Sequence, residues 1–491
     1  MSNVHVNVQS FKTLFNNACH PLDLDTYQRP YVWDEDKVKQ LINDLNDYIT
    51  GKTPSNSYYM GAILLHKNAD KKKLYIIDGQ QRLTALSILY SQLTQSLPQN
   101  NSLSYHSPIS VKNIKQTQRH ISQYLPDTIT DNIFDRICFS VIMVDSEDLA
   151  FTFFDTQNNR GVKLNATDLL KAYHLRAIDN SNEQLNHDLQ KYCAQQWEKL
   201  QRLPIRIQET QEKSDFVKVL FEKYLWRARV WTGQKNLSYE TYDGVLDEFQ
   251  NKTLEVESAA DTVPLYRSRH NRHSQNITLL PNQTSYSVDE QTTLNIDSTH
   301  KIPFVIRQPI SRGVGFFLYA DKYMTLLDKL LNIGSKNNDI QDFNHFYDKV
   351  IAHLSPYLRE LFLLSTLMYV DQFGSKKLYP FALWLDYALG ALRVEKDNVY
   401  KASIPPFLRD KALNLLDVIA NAFTPEQVIN HLKDDASTQK IYTNDNIDMS
   451  KNGVKQDYKK RILNYYGLED NLEVSLNNKA QWIENHLKGH Q

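Results

Sequence analysis

Hydrophobic and polar positions divide the chain into two regimes. Val4, Val6 and Val8 alternate with polar residues in the manner of a short strand, and Leu22 to Asp25 read as another. Beyond Asp34, the residues Val38, Leu41, Ile42, Leu45, Tyr48 and Ile49 recur at helical spacing. Asp34 is placed to cap that helix, and Glu35 and Asp36 in its first turn suit the helix dipole. Two strand-like runs follow, Tyr58 to Leu65 and Leu74 to Ile77. The second leads directly into Asp78-Gly79-Gln80-Gln81-Arg82 and a helix with Leu83, Leu86, Tyr90 and Leu93 on one stripe. Ile137 to Val144 is long and β-branched enough to predict a central strand. A helix from about Glu147 is expected to end near Asn158-Asn159-Arg160-Gly161, where Gly161 suits a C-terminal cap.

From about residue 181 the periodicity becomes helical. Leu185 to Leu200, Ser214 to Trp231, Tyr239 to Leu254, Gly315 to Asn332, Phe343 to Leu354, Tyr357 to Phe373, Leu378 to Val394 and Phe407 to Phe423 all favour helix. A final pair is expected near Gln456–Tyr466 and Asn478–Leu487. Between them, a polar stretch around 258–300 reads as a loop or small insertion; its residues 262–288 hold Arg267, Arg269, Arg272, His270 and His273 and no acid. The expected class is therefore α+β. An N-terminal domain over 1–180 precedes a mostly α-helical region over 181–491 that carries the basic insertion.

Composition sharpens this picture. Only 14 glycines occur in 491 residues, about 3 %, under half the usual ~7 %. That disfavours Gly-rich β architectures and leaves the few glycines for special positions. Lys and Arg number 56 against 57 Asp and Glu, so the chain is no general polyanion binder, and any DNA contact must come from local patches. Cys19, Cys138 and Cys193 lie far apart with no zinc spacing, which predicts reduced thiols and a cytoplasmic location. The N-terminus lacks the pattern of a secretory signal, and the most apolar stretch, Leu361 to Val370, is about half a membrane span; no membrane association is expected.

Three motifs carry candidate chemistry. Asp78-Gly79-Gln80-Gln81-Arg82 sits where a strand turns into a helix, so backbone N–H groups can cradle an anion. Asp78 can hold a metal or a ribose hydroxyl, and the planar fork of Arg82 suits a phosphate. An ordinary capped turn is the other reading. Tyr27-Gln28-Arg29-Pro30-Tyr31-Val32-Trp33 has the composition to stack on a base and touch a phosphate, or else to staple the next helix. In Phe153 to Asn165 the Asn carbonyls, Asn158 among them, suit Mg²⁺ or base edges and Arg160 beside Gly161 and near Lys163 suits a phosphate, or else the stretch forms an Asn-rich helix end. Gly51-Lys52-Thr53 is no P-loop, because Asn46 stands where its first glycine belongs. His353-Leu-Ser-Pro356 resembles the start of an HNH nuclease but lacks a defensible Asn/His pair downstream.

Taken in order, YQRPYVW, YYMGAILL, IIDGQQRLTAL and FFDTQNNRGVKLNATDLLKAYHL resemble the DGQQR-motif family over about residues 10–180. Its members include the GmrS half of GmrSD-type modification-dependent restriction enzymes and the phosphorothioate-sensing SspE. The resemblance implies a ParB/sulfiredoxin-like N-terminal domain that binds, and in several members hydrolyses, a nucleoside triphosphate with Mg²⁺. Carried over by position, Asp78, Gln81 and Arg82 are expected to be catalytic, with Asp78 also on the metal. Gly79, Gln80, Asn158, Arg160, Gly161 and Lys163 are expected to bind nucleotide, with Asp168 and Lys171 in support. Tyr27, Gln28, Arg29 and Trp33 are the expected DNA or base sensors by this resemblance; Arg267, Arg269 and Arg272 of the acid-free stretch are expected, on charge alone, to contact DNA phosphates or else to form a solvated basic loop. Asn159 stands where many relatives carry Asp, a departure that touches the metal role of that stretch. The HNH nuclease of single-chain members is not displayed, which implies a separate HNH-containing partner acting on modified phage DNA. An oligomer is compatible with this expectation. The competing expectations are a non-enzymatic DNA-binding adaptor and a self-sufficient nuclease with an unrecognised site.

Overall fold

A computed structural model describes residues 4–25, 28–51, 57–105, 107–146, 149–150, 165–178, 183–203, 215–234, 237–255, 263–266, 278–281, 286–289, 302–331, 337–443 and 447–489. Its contacts divide the chain into two compact units, Met1–Leu175 and Arg176–Gln491.

The first unit is a five-stranded mixed sheet with helices packed on it. In chain order it comprises β1 (Val4–Ser10), α1 (Phe11–Asn16), β2 (Leu22–Asp23), α2 (Glu35–Thr50), β3 (Tyr58–Asn68), β4 (Lys73–Asp78), α3 (Gln80–Thr94), α4 (Pro108–Tyr124), α5 (Ile133–Arg136), β5 (Ile137–Val144) and α6 (Ala166–Arg176). The strand order is β1-β5-β3-β4-β2. β5 runs antiparallel to β1 and parallel to β3, while β4 runs antiparallel to β3 and parallel to β2. The β-branched run 137–144 is thus an interior strand, as its composition predicts.

Period-two alternation sends Ile63, Leu65, Leu74, Ile76, Phe139 and Val141 to one face of the sheet. They pack there against Val38, Leu41, Ile42 and Leu45 of α2 and Leu83, Leu86 and Leu89 of α3. α2 begins where expected, with the Asp34 carboxylate accepting from Lys37 N at 3.0 Å. α4 has no counterpart among the expected elements; of its three buried residues, Ser110 and Thr117 are polar and Ile121 is apolar.

The second unit is helical and built around Leu378–Glu395, which is buried along nearly its whole length. At its centre the Lys479 ammonium, fully buried, donates to Asp386 Oδ2 at 2.6 Å and to Tyr458 Oη at 2.6 Å. Gly390 makes room for this cluster, since a Cβ there would lie 1.7 Å from Tyr458 Oη. A second buried hub is Glu240, which takes Lys223 at 2.5 Å, Arg227 at 3.0 Å and Lys401 at 2.9 Å. One expectation is corrected here. Phe407 to Phe423 is not one helix but two, Ile404–Arg409 and Leu415–Asn421. Asn414 starts the second by accepting from Leu416 N at 2.9 Å, while its amide reaches Gly233 O at 3.0 Å. Within the basic insertion, β6 (Thr278–Pro281) pairs antiparallel with β7 (Tyr286–Asp289). Among the described residues, no helix is long and apolar enough to cross a membrane.

Candidate functional site

The Asp78–Arg82 turn closes β4 and opens α3. Gly79 adopts φ +101°, and a Cβ there would meet Ile63 Cγ1 at 3.0 Å. Both facts require glycine. No side chain caps the first turn of α3, and that turn contains no acid. Its leading N–H groups therefore present the positive end of the helix dipole with no side-chain cap. Beside them Gln80 is 5 % exposed, and its Oε1 is buried with no hydrogen-bond partner. A buried amide oxygen in that state is uncommon, because an unmade bond there costs on the order of 1–3 kcal/mol.

The next two residues are occupied. Gln81 accepts from Val32 N at 2.9 Å and donates to Pro30 O at 3.1 Å, as a neighbouring strand would. Arg82 donates Nη1 to Met60 O at 2.6 Å and Nη2 to Ala62 O at 2.7 Å. Both carbonyls flank Gly61, where β3 bulges and φ is +95°. Arg82 also lies 3.5 Å from Asp78 Oδ2. Asp78 is the turn's single carboxylate, with 39 % of its side chain exposed.

Residues 28–33 lie against this turn. Gln28 Nε2 donates to Ile76 O at 2.8 Å and Ile77 O at 3.1 Å, completing the edge of β4 beyond the two-residue pairing with β2. Tyr31 is fully buried. Its N–H reaches Ser110 Oγ at 3.0 Å, its carbonyl accepts from Asn113 at 2.9 Å, and its hydroxyl meets Thr117 at 3.1 Å. Burial pushes the Tyr31 phenol well above its ordinary pKa, so it stays neutral. Trp33 is half-buried and packs on the hydrophobic core, while Arg29 is exposed.

The structure thus brings Gln28, Gln80, Gln81, Arg82, Asp78 and Gly79 together. Lys171 is buried and Asp168 half-buried on α6, each with a partner. Tyr27, Asn158, Asn159, Arg160, Gly161, Lys163, Arg267, Arg269 and Arg272 lie outside the described residues. Sequence reasoning missed Gly61, although a glycine inside a strand pattern signals a bulge or close backbone approach. It also missed the Thr84–Tyr105 hydroxyl pair at 2.6 Å, where Thr84 additionally bonds Gln80 O at 2.7 Å.

The donor set of this turn suits an anion. Among the described residues no group of three His, Cys, Asp or Glu side chains could cage a metal. Asp78 offers one carboxylate, which fits a Mg²⁺ whose remaining ligands are phosphate and water.

Residues 11–175 match the GmrSD restriction endonuclease N-terminal domain, which supports a place in a GmrSD-type restriction system. Residues 189–449, more than half of the chain, match a family of unknown function, DUF7834. The chain belongs to that family. No curated protein matches it. The two matched segments fall within the two units, so the turn at Gly79 and its clasped partner segment lie wholly in the restriction-type domain.

Proposed function

We propose that this chain is the nucleotide-responsive sensor subunit of a GmrSD-type, modification-dependent restriction system. The observation that carries this reading is the uncapped start of α3 at Gly79; the partnerless Gln80 Oε1 beside it is an acceptor and would take a donor such as a ribose hydroxyl. A nucleoside triphosphate there would supply the phosphates that the free N–H groups need. Asp78 would hold its Mg²⁺, which supplies charge neutralisation of the phosphoryl groups. Gln81 and Arg82 are positioning residues in this scheme. Arg82 fixes the turn to β3 and keeps further donors for phosphate, and Gln81 ties the turn to the Pro30–Val32 segment. Asn158, Arg160, Gly161 and Lys163 complete the nucleotide site by resemblance.

Cleavage falls to a separate HNH-bearing partner in this proposal. His353, the one histidine in an HNH-like context, ends a 3₁₀ turn, and Pro356 opens an 18-residue helix. The test is calorimetric binding and turnover of the common nucleoside triphosphates with Mg²⁺ by the full chain. Asp78→Asn is expected to abolish turnover. A wild-type chain that neither binds nor hydrolyses any of them ends this reading.

A second reading has its own support: the amide of Gln81 and two donors of Arg82 already serve backbone groups, as in a purely architectural motif. The chain would then be a non-enzymatic DNA-binding adaptor. It predicts that Asp78→Asn leaves phage restriction intact in cells.

A further inference from the structure

We infer that α4 presents a phosphate-contacting face for duplex DNA, a role separate from that of the turn at Gly79. The inference rests on the reading that this chain meets DNA, and it names the surface that does so. α4 is seventeen residues long and contains no Asp or Glu. Lys112, Lys115 and Arg119 are all exposed on it. Their spacing of three and then four places them on one face. At 1.5 Å rise per residue they span roughly 10 Å, the length of about three successive phosphates on one strand.

Among the described residues none of the three has an ion-pair or hydrogen-bond partner. The carboxylate facing the helix is Glu35, and it is already held by Tyr124 Oη at 2.5 Å, by Lys39 at 2.8 Å and by His120 at 4.0 Å. Like charges at these spacings destabilise a helix by a few tenths of a kcal/mol each. A face kept only for solubility mixes both signs, as α2 beside it does with Glu35, Asp36, Lys37 and Lys39. Gln118 and Ser122, also exposed, add neutral donors of the kind that bind phosphate and sugar oxygens. Arg29 extends the patch. It is exposed and stands two residues, at most about 7 Å of chain, from Tyr31, whose main chain is held by Ser110 and Asn113 of α4.

The experiment is fluorescence anisotropy of the full chain with an unmodified 30-base-pair duplex at 50 and 200 mM salt. The wild type is compared with Lys112→Gln/Lys115→Gln/Arg119→Gln and with the charge-keeping Lys112→Arg/Lys115→Arg. Removing three phosphate contacts is expected to reduce the slope of log K against log salt by roughly 2.7. The triple variant's affinity should therefore fall about 40-fold less than the wild type's between those salts. The charge-keeping variant should keep the wild-type slope, and circular dichroism melts should show all three folded. A triple variant with the wild-type slope overturns the assignment to α4 while leaving DNA binding by this chain standing. A wild type that binds no duplex overturns both. Tighter binding of the wild type to phosphatidylserine vesicles than to duplex overturns DNA as the occupant.

Discussion

Gly61→Ala reports directly on whether Arg82 is held by the β3 bulge. A Cβ at position 61 would lie 2.6 Å from Arg82 Nη1, on a backbone with φ +95°. The left-handed conformation alone costs an alanine about 1–2 kcal/mol. The guanidinium is normally free to swing away, but here it would forfeit its bond to Met60 O, and a hydrogen bond to a charged group is worth about 1.5–3 kcal/mol. The expected sum is about 2.5–5 kcal/mol. In an Arg82→Ala background only the backbone part remains, so a double-mutant cycle should show a coupling of about 1.5–3 kcal/mol. Hydrogen exchange of peptides spanning β3 and α3, measured in the full chain, resolves the local opening energies. Additive effects, with coupling below about 0.5 kcal/mol, would refute the view that the bulge and the arginine form one unit.

Further outcomes follow from the same contacts. Gln81→Leu should release Pro30 O and Val32 N together and raise hydrogen exchange across residues 28–33 by at least tenfold, with β1 unaffected. Lys479→Met leaves the Asp386 carboxylate buried without its cation, a loss of about 3–5 kcal/mol seen as a lower thermal midpoint of the helical unit; Asp386→Leu/Lys479→Met should recover much of it. For Glu240, burial pushes the carboxyl up, but Arg227, with Lys223 and Lys401, overcomes this and holds it at about 2, below its ordinary 4.5. A depressed carboxyl stabilises fully above about pH 4.5 and loses that contribution as pH falls toward 2. Glu240→Gln should therefore flatten the acid limb of a urea-unfolding series in that window and lower stability at pH 7.

Much of the first unit was legible because its signals are local. Val4, Val6 and Val8 alternate, Asp34 caps, and Ile137 to Val144 is a β-branched run, so each element announces itself within a few residues. What stayed hidden depends on partners distant in sequence. α4 turns Ser110 and Thr117 inward because Tyr31, some eighty residues earlier, brings hydrogen-bonding groups to meet them. The division of Phe407 to Phe423 depends on Asn414 finding Gly233. At the candidate site the residue types were readable but not their duties. Arg82 reads as a phosphate ligand until the carbonyls of Met60 and Ala62 are seen to take two of its donors.

The clasp around Gly79 has a consequence for protein engineering. Three positions of the five-residue turn are specified by two other stretches of chain: Gly79 by Ile63 and Arg82 by the carbonyls on either side of Gly61, both in β3, and Gln81 by Pro30 and Val32. The turn is therefore not a portable cassette. Transplanted into another strand–helix junction, the letters alone would lose both the kink at Gly61 and the strap at Pro30. A working graft must carry residues 28–33 and 58–66 with it, and a search for functional equivalents in unrelated folds should look for that three-segment arrangement rather than for the five letters.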